Sequence, residues 1–562
     1  MIKNLSLLTI CFLFILSAAL GQKTSLEINS EIFFLDGFDA IYKDVNPGDT
    51  LYFLAGNRDY LLIKNFQGAE GNPIVFINSG GEVIIDTDHH FGISIQNCRY
   101  IKFTGTGDPM QTYGFQVKRV ANGSGMGIGD KSSDFEIDHI SIENCPIGGI
   151  YAKTDPDCNL TAVRDTFTQY NTNIHDNYIA NAGNEGLYIG NTKYFGQTVN
   201  CNGKDTLLLP SLLYGVKVYN NIIKYSGWDG IQVSSASKNC QIYNNTILFD
   251  SQDEHASQMS GIIIGGGTKC DCYNNFIANG KGDGIEIHGL GGTRVFNNII
   301  VNAGLDYFPD DFSGPNMKYG IYVSDVSVQN DSSFFILNND IINPKSDGIR
   351  FSSIKSKNNL IASNVIINPG NFDYYETGNT RFKGIDSYVM LPNSKSNILL
   401  KNNFFSRNIE DAGFASSVQE TAFDFELSAG SVLINSADPE SEVAFDFSGQ
   451  PRPVGQFADI GAWESNVAIS NRLDYSKPKS QIQLLENPVD DYLTLKVQNE
   501  LTGNLLFGIY DSNGQIITLI GESDLTINHQ VIQVNVSNLS PGLFFFRLIF
   551  GNASESGKFI KN

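Results

Sequence analysis

The residues of this chain able to do chemistry recur at fixed places in a short motif, Gly-apolar-x-apolar. It begins at Gly149, Gly186, Gly230, Gly261, Gly284, Gly320 and Gly348. If the motif is a strand, alternation turns its apolar residues inward and the x residues outward. The first outward column then reads Tyr151, Tyr188, Gln232, Ile263, Glu286, Tyr322 and Arg350. The second holds Lys153, Ser234, His288, Ser324 and Ser352, with glycines between. The turn before each Gly adds Glu185, Asp229, Ser260, Asp283, Tyr319 and Asp347. Aromatic rings beside carboxylates, a Lys, a His and an Arg suit a sugar chain: rings stack on pyranose faces while charged groups hold hydroxyls or uronates. Asp-Gly is also a common turn pair, which accounts for the turn aspartates on structural grounds alone. Glu185, Glu286 and His288 have no such explanation.

Hydrolysis of a glycoside needs two carboxyls, about 5–5.5 Å apart for retention or about 6.5–9.5 Å for inversion. Stacked coils put Glu185 and Asp229 about 5 Å apart, and Asp229 and Asp283 roughly 9.6 Å apart. Crowding raises one carboxyl pKa and so supplies a general acid. The first reading is a glycoside hydrolase with Glu185, Asp229 and Asp283 or Glu286 as its carboxylates, requiring no cofactor. A polysaccharide lyase would use Lys153 or His288 as the base at C5 of a uronate and Arg350 against the sugar carboxylate, with Ca²⁺ between Glu185 and Asp229. Tyr151, Tyr188, Gln232, Tyr322 and Arg350 bind substrate in either case. The same surface without catalysis would serve a glycan-binding adhesin.

The elements that position these residues form a measurable repeat. A second motif, apolar-polar-Asn, recurs at His175-Asp176-Asn177, Tyr219-Asn220-Asn221, Tyr243-Asn244-Asn245, Tyr273-Asn274-Asn275, Phe296-Asn297-Asn298, Leu337-Asn338-Asn339 and Ala362-Ser363-Asn364. Nine residues separate the last Asn from the next Gly in four cases, and 14 separate Gly261 from Asn275 and Gly284 from Asn298. A unit of about 23 residues with two or three short strands predicts a parallel β-helix of 11 to 14 coils over residues 25–463. Asn tolerates the left-handed turn, and its amide can bond along the stack. The spacing breaks at 245–261 and 298–320, before the Gly strand, and at 192–214, after it. Repeat proteins carry insertions on the binding face.

Composition limits the partners. A net charge of −22 argues against nucleic acid, and 41% hydrophobic residues fill a sizeable core. Residues 1–21 read as a cleaved signal peptide ending near Ala18-Ala19-Leu20-Gly21; no later stretch is apolar enough for a transmembrane span. Of the seven remaining cysteines, Cys240 and Cys270 each precede their Asn by four residues. They should stack in consecutive coils about 5 Å apart, as a disulfide or a thiol ladder.

After the 22–464 helix domain comes a polar linker, 465–482, and then short alternating strands over 483–562 that predict a small β-sandwich. The fold class is thus all-β: a right-handed parallel β-helix, then a sandwich.

Several motifs carry resemblances. Asn487-Pro488, Tyr510-Asp511-Ser512-Asn513-Gly514, Leu539-Ser540-Pro541-Gly542 and the terminal Lys558-Phe559-Ile560-Lys561 resemble the C-terminal sorting domain of the type IX secretion system of Bacteroidetes. That resemblance implies the type IX machinery as partner and a secreted or cell-surface location. The repeats resemble the right-handed β-helix superfamily that contains pectate lyases and polygalacturonases, implying polysaccharide as substrate. Val45-Asn46-Pro47-Gly48-Asp49-Thr50-Leu51 with Asn72-Pro73-Ile74 is similar to the opening coils of chondroitinase B and alginate lyases. Pro451-Arg452-Pro453 with Asp459-Ile460-Gly461-Ala462 is similar to the end of many secreted bacterial β-helices. The polygalacturonase Asp-Asp and Arg-x-Lys sets and the Asp-Pro-His of mannuronan epimerases are missing, so the resemblance assigns no catalytic family.

Overall fold

A computed structural model describes residues 25–309, 317–370 and 388–465 except 394 and 442. It also describes 482–562 except 486, 498–504, 511–515, 522–524, 529–530 and 551–552. The expected signal peptide, nearly all of the linker, and Asp310 and Asp311 of the second insertion lie outside the described residues. The chain divides into two units, residues 1–468 and 469–562.

The first unit is a right-handed β-helix of three parallel walls. The Gly motif builds the first wall, twelve strands that include Ile150–Ala152, Leu187–Ile189, Ile231–Val233, Ser260–Ile264, Asp283–Ile287, Ile321–Val323 and Ile349–Phe351. The strand before each Asn pair, such as Cys270–Tyr273, builds the second wall, and the strand after it, such as Phe276–Ala278, the third. Among the described residues, these twelve coils fall inside the expected range. Ile and Val from all three walls fill one continuous interior.

The glycines that open the first-wall strands answer to close approach. A Cβ on Gly284 would lie 2.5 Å from Gly320 O and 2.5 Å from Ile300 Cγ2, and Gly186, Gly230, Gly261 and Gly320 are crowded in the same way. Any side chain there would push apart the third wall and the next coil. The Asn pair divides its labour. The first member, Asn220, Asn244, Asn274 or Asn297, takes the left-handed conformation at φ 53–55°. The second forms a buried ladder, in which Asn221, Asn245, Asn275, Asn298, Asn339 and Asn364 each donate Nδ2 to the Oδ1 of the next coil's Asn at 2.9–3.0 Å. The apolar position of the motif stacks outside, from His175 through Tyr219, Tyr243 and Tyr273 to Phe296, with centroids 4.4–4.9 Å apart.

Cys240 and Cys270 are register partners in adjacent coils, as the spacing requires, and both are buried free thiols. The disulfide joins Cys158 to Cys201 instead. Those two cysteines sit in separate insertions, so no repeat spacing relates them.

At the opening end, Arg58 donates to the carbonyls of Ile28, Asn29, Ile32 and Leu54, while Asp49 Oδ2 accepts from Asn46 N at 2.8 Å. At the far end, the segment containing Pro451–Arg452–Pro453 packs on the third wall through Phe425, Leu433, Ile460 and Trp463. Arg452 donates to Asp459 O and Gly461 O at 2.8 and 2.7 Å and faces Glu464 at 3.4 Å. Ala462 N donates to Asp340 Oδ1 on that wall at 3.2 Å.

Burial pushes the Asp340 carboxyl up to about 8 from its ordinary 3.8, against the opposing pull of the Ala462 N–H and Arg452. Between those values the folded chain holds a proton that the unfolded chain releases. Stability therefore falls as pH rises from about 4 to about 8. Asp340→Asn should raise the melting temperature at pH 8 and change it little at pH 5. An unaltered difference between the two pH values would refute this assignment.

The second unit is a pair of antiparallel four-stranded sheets. Tyr492–Val497 pairs with Val531–Asn535 in one, and Leu505–Tyr510 with Gly542–Phe550 in the other. Leu493, Leu495, Phe507, Ile509, Val534, Leu548 and Phe559 form their core.

Candidate active site

The first-wall register aligns Tyr151, Tyr188, Gln232, Ile263, Glu286, Tyr322 and Arg350 in successive coils, the column read from the sequence. Within one coil, the turn residue and the outward residue three positions later meet. Arg350 Nη1 lies 3.0 Å from Asp347 Oδ2, and the Tyr319 and Tyr322 rings are 5.5 Å apart. Asp283 and Glu286 hold these two places in their coil. Both line a cleft of about 470 Å³, together with His288, Tyr322, Arg350 and Ser352 of the wall.

The two upstream insertions make the cleft's sides: Ala256, Ser257 and Met259 come from the first, and Tyr307, Met317, Lys318 and Tyr319 from the second. Lys318 and Tyr307 belong to no outward column because they lie outside the repeat. Their signal was the excess length between Asn298 and Gly320.

The cleft separates its two carboxyls electrostatically. Burial pushes Asp283 up to about 7, Lys318 opposes this, and the charge of Glu286 adds to it. Its Oδ1 accepts the Tyr319 N–H at 2.5 Å. Burial alone would raise Glu286 as well, but His288, Lys318 and Ser260 more than offset it and hold it below the ordinary carboxylate range. His288 Nε2 is 2.9 Å from Glu286 Oε1, Ser260 Oγ donates to Oε2 at 3.1 Å, and His288 Nδ1 faces Ser324 Oγ. The Ser324 contact leaves Nε2 directed at Glu286.

The remaining candidates fall elsewhere on the strip. Asp229 is completely buried, because the first insertion hydrogen-bonds directly along residues 226–228 through Ser251, Gln252 and Asp253. Its Oδ1 accepts from Ser260 N at 2.8 Å, and burial with the charges of Glu185 and Glu286 pushes it well above the carboxylate range. Ser260 bridges it to Glu286, its N–H on Asp229 and its Oγ on Glu286. Gln232 is buried too, at 3% exposure, between Tyr188 and Ile263. Glu185, raised chiefly by burial, accepts the Tyr151 hydroxyl at 2.7 Å. Tyr188 lies edge-on to Tyr151, with Lys153 Nζ 5.0 Å from its ring. Trp228, stacked on His255 at 4.1 Å, is an aromatic that the outward columns did not include.

Among the described residues, Glu136, Asp138 and His175 bring three potential metal donors within 4.8 Å of one another. They lie on the second wall, and Lys102 Nζ already sits 3.1 Å from Asp138 and against Glu136. A second cavity of about 400 Å³ between the third wall and the closing segment has Glu420 as its single titratable lining residue. Asp283 and Glu286, by contrast, line the first-wall cleft side by side.

Residues 198–384 match the family described as right handed beta helix region, and residues 486–562 match the secretion system C-terminal sorting domain. No curated protein matches the chain in sequence. Similar solved structures include a GH136 lacto-N-biosidase from Eubacterium ramulus, 13% identical with TM-score 0.45 over 68% of each chain. The A-module of a mannuronan C-5 epimerase from Azotobacter vinelandii is 11% identical with TM-score 0.40, over 64% of this chain and 87% of that one. An alginate lyase from a Paenibacillus species is 14% identical with TM-score 0.34, over 58% and 95%. The protein is a right-handed β-helix protein. It carries a type IX sorting domain and is exported to the cell surface or beyond.

Proposed function

We propose that this protein is a polysaccharide-active enzyme that hydrolyses glycosidic bonds, with Asp283 as general acid and Glu286 as the ionised second carboxylate. The observation that carries the reading is the opposed environment of these two groups in one cleft, which supports an acid–base assignment. Asp283, still largely protonated just below neutrality, gives its proton to the leaving oxygen. Glu286, kept ionised by His288 and Lys318, acts at the anomeric carbon. Tyr322 offers a ring face to the sugar, with Tyr319 buried beneath Arg350, and Arg350, held by Asp347, offers hydrogen bonds to its hydroxyls.

One observation favours a second reading. His288, Lys318, Tyr322 and Arg350 line the same cleft, and a base beside cations is also what uronate elimination requires. Incubation with neutral and uronic polysaccharides separates the two. New reducing ends without ultraviolet absorbance support hydrolysis, an absorbing unsaturated product supports elimination, and binding without either product defeats both.

For the hydrolase, kcat/KM should fall on the alkaline side as Asp283 loses its proton near pH 7. On the acid side it should fall below the ordinary carboxylate range, where Glu286 takes one up. A rate that keeps rising from pH 7 to 9 would exclude Asp283 as the acid.

A further inference from the structure

Two insertions on the downstream side of the first wall, residues 153–170 and 191–214, are tied to each other rather than to the cleft. Cys158 and Cys201 cross-link them, Arg164 donates to Tyr194 O at 2.6 Å, and its guanidinium lies 4.4 Å from the Tyr194 ring centroid. Residues Gln197–Cys201 and Lys204–Leu208 form an antiparallel hairpin that leaves Phe195 64% exposed. Gly190, at φ 73° with Ser234 O 2.0 Å from its would-be Cβ, lets the chain leave the wall to build this ledge.

The ledge is wired to the Tyr151–Tyr188 pair. Asp155, three residues from Cys158, lies 3.1 Å from Lys153 Nζ, and Asn191 Nδ2 donates to both Asp155 Oδ1 and Gln197 Oε1 at 2.8 Å. The Tyr188 hydroxyl meets Thr192 Oγ1 at 3.1 Å. The disulfide thus closes a loop whose members place Lys153 against Tyr188. Three coil steps, about 14 Å at the sheet spacing, separate the Tyr188 coil from that of Glu286.

We propose that the disulfide-linked ledge and the Tyr151–Tyr188 pair form a distal carbohydrate subsite that holds a neutral, hydroxyl-rich stretch of chain remote from the bond being broken. This rests on the polysaccharide reading above but not on the hydrolytic chemistry. Neutral sugar is the class that fits, because the charged groups here are already engaged, Lys153 by Asp155, Glu185 by the Tyr151 hydroxyl and Arg164 by Tyr194, whereas Lys318 and Arg350 belong to the cleft. Cys158 and Cys201 are positioning residues: they touch no sugar but fix Asp155 and Gln197.

The test is affinity electrophoresis of the full chain, purified under oxidising conditions, through gels holding xylan, mixed-linkage β-glucan, polygalacturonate or alginate. All forms carry Glu286→Gln so that cleavage does not interfere. Retention by a neutral polymer should weaken about tenfold in the Cys158→Ser, Cys201→Ser double variant and in Tyr188→Ala. Thermal melts check that each variant folds, and reversible reduction of the parent protein repeats the experiment without mutation. Retention unchanged by all three treatments, or seen only with the uronic polymers, overturns the subsite. Ledge-dependent retention in a protein that cleaves nothing supports the subsite and defeats the catalytic reading.

Discussion

Glu286→Gln is expected to lower turnover on the cleaved polysaccharide by on the order of 10³-fold or more, with the β-helix intact. The amide keeps the shape and can still meet Ser260 Oγ, but it can neither attack nor accept a proton. Asp283→Asn should lose on the order of 10²–10⁴-fold on substrates with poor leaving groups and lose the alkaline limb of the pH profile. Asp229→Asn makes the informative comparison. Asp229 is sealed, and burial pushes its carboxyl well above the ordinary range, so its amide should cost far less. Steady-state kinetics on the three purified variants decides the order. Equal losses in Asp229→Asn and Glu286→Gln would move the chemistry to the Glu185–Asp229 pairing across coils.

The second large effect concerns stability. Asn275 is fully buried and donates Nδ2 to Ile242 O, Tyr273 O and Asn298 Oδ1, while its Oδ1 accepts from both the backbone N–H and Nδ2 of Asn245. Asn275→Ala orphans several of these partners at once. Each unsatisfied buried group costs about 1–3 kcal/mol, so a loss of about 3–5 kcal/mol is expected by urea or thermal unfolding. Asn403 ends the ladder half-exposed, with its Oδ1 accepting from Asn364. Its alanine variant leaves groups that water can reach and should cost about a third as much. Equal losses at the two positions would show that ladder burial is not what sets the penalty.

The coil was legible because its constraints repeat. Gly at 149, 186, 230, 261, 284, 320 and 348 and Asn after the second-wall strands from Thr172–His175 onward are forced by close approach and by ladder bonding, and these recur coil after coil. The outward column followed directly, from Tyr151 to Arg350. The site was only half legible, because insertions obey no period. Insertion length announced walls beside the strip but not that the first would cover the turn before Asp229, nor that the second would bring the charge of Lys318 to bear on Asp283. The sheet spacing pairs carboxyls across coils. The folded strip also pairs them within a coil, where turn and outward positions meet. Cys158 and Cys201 stayed unpaired in the sequence for the same reason, since both sit outside the repeat.

The Asn ladder has a consequence for how such a chain can change length. The Asn–Asn bonds of each rung join only adjacent coils, so removing one whole coil, such as the 23 residues from Gly261 to Asp283, lets Asn245 meet Asn298 as it now meets Asn275. Removing half a coil would set an amide against an isoleucine and break every contact beyond it. The architecture therefore lengthens and shortens in whole increments, like links in a chain. The outward strip can gain or lose one position at a time while the coils on either side keep their form.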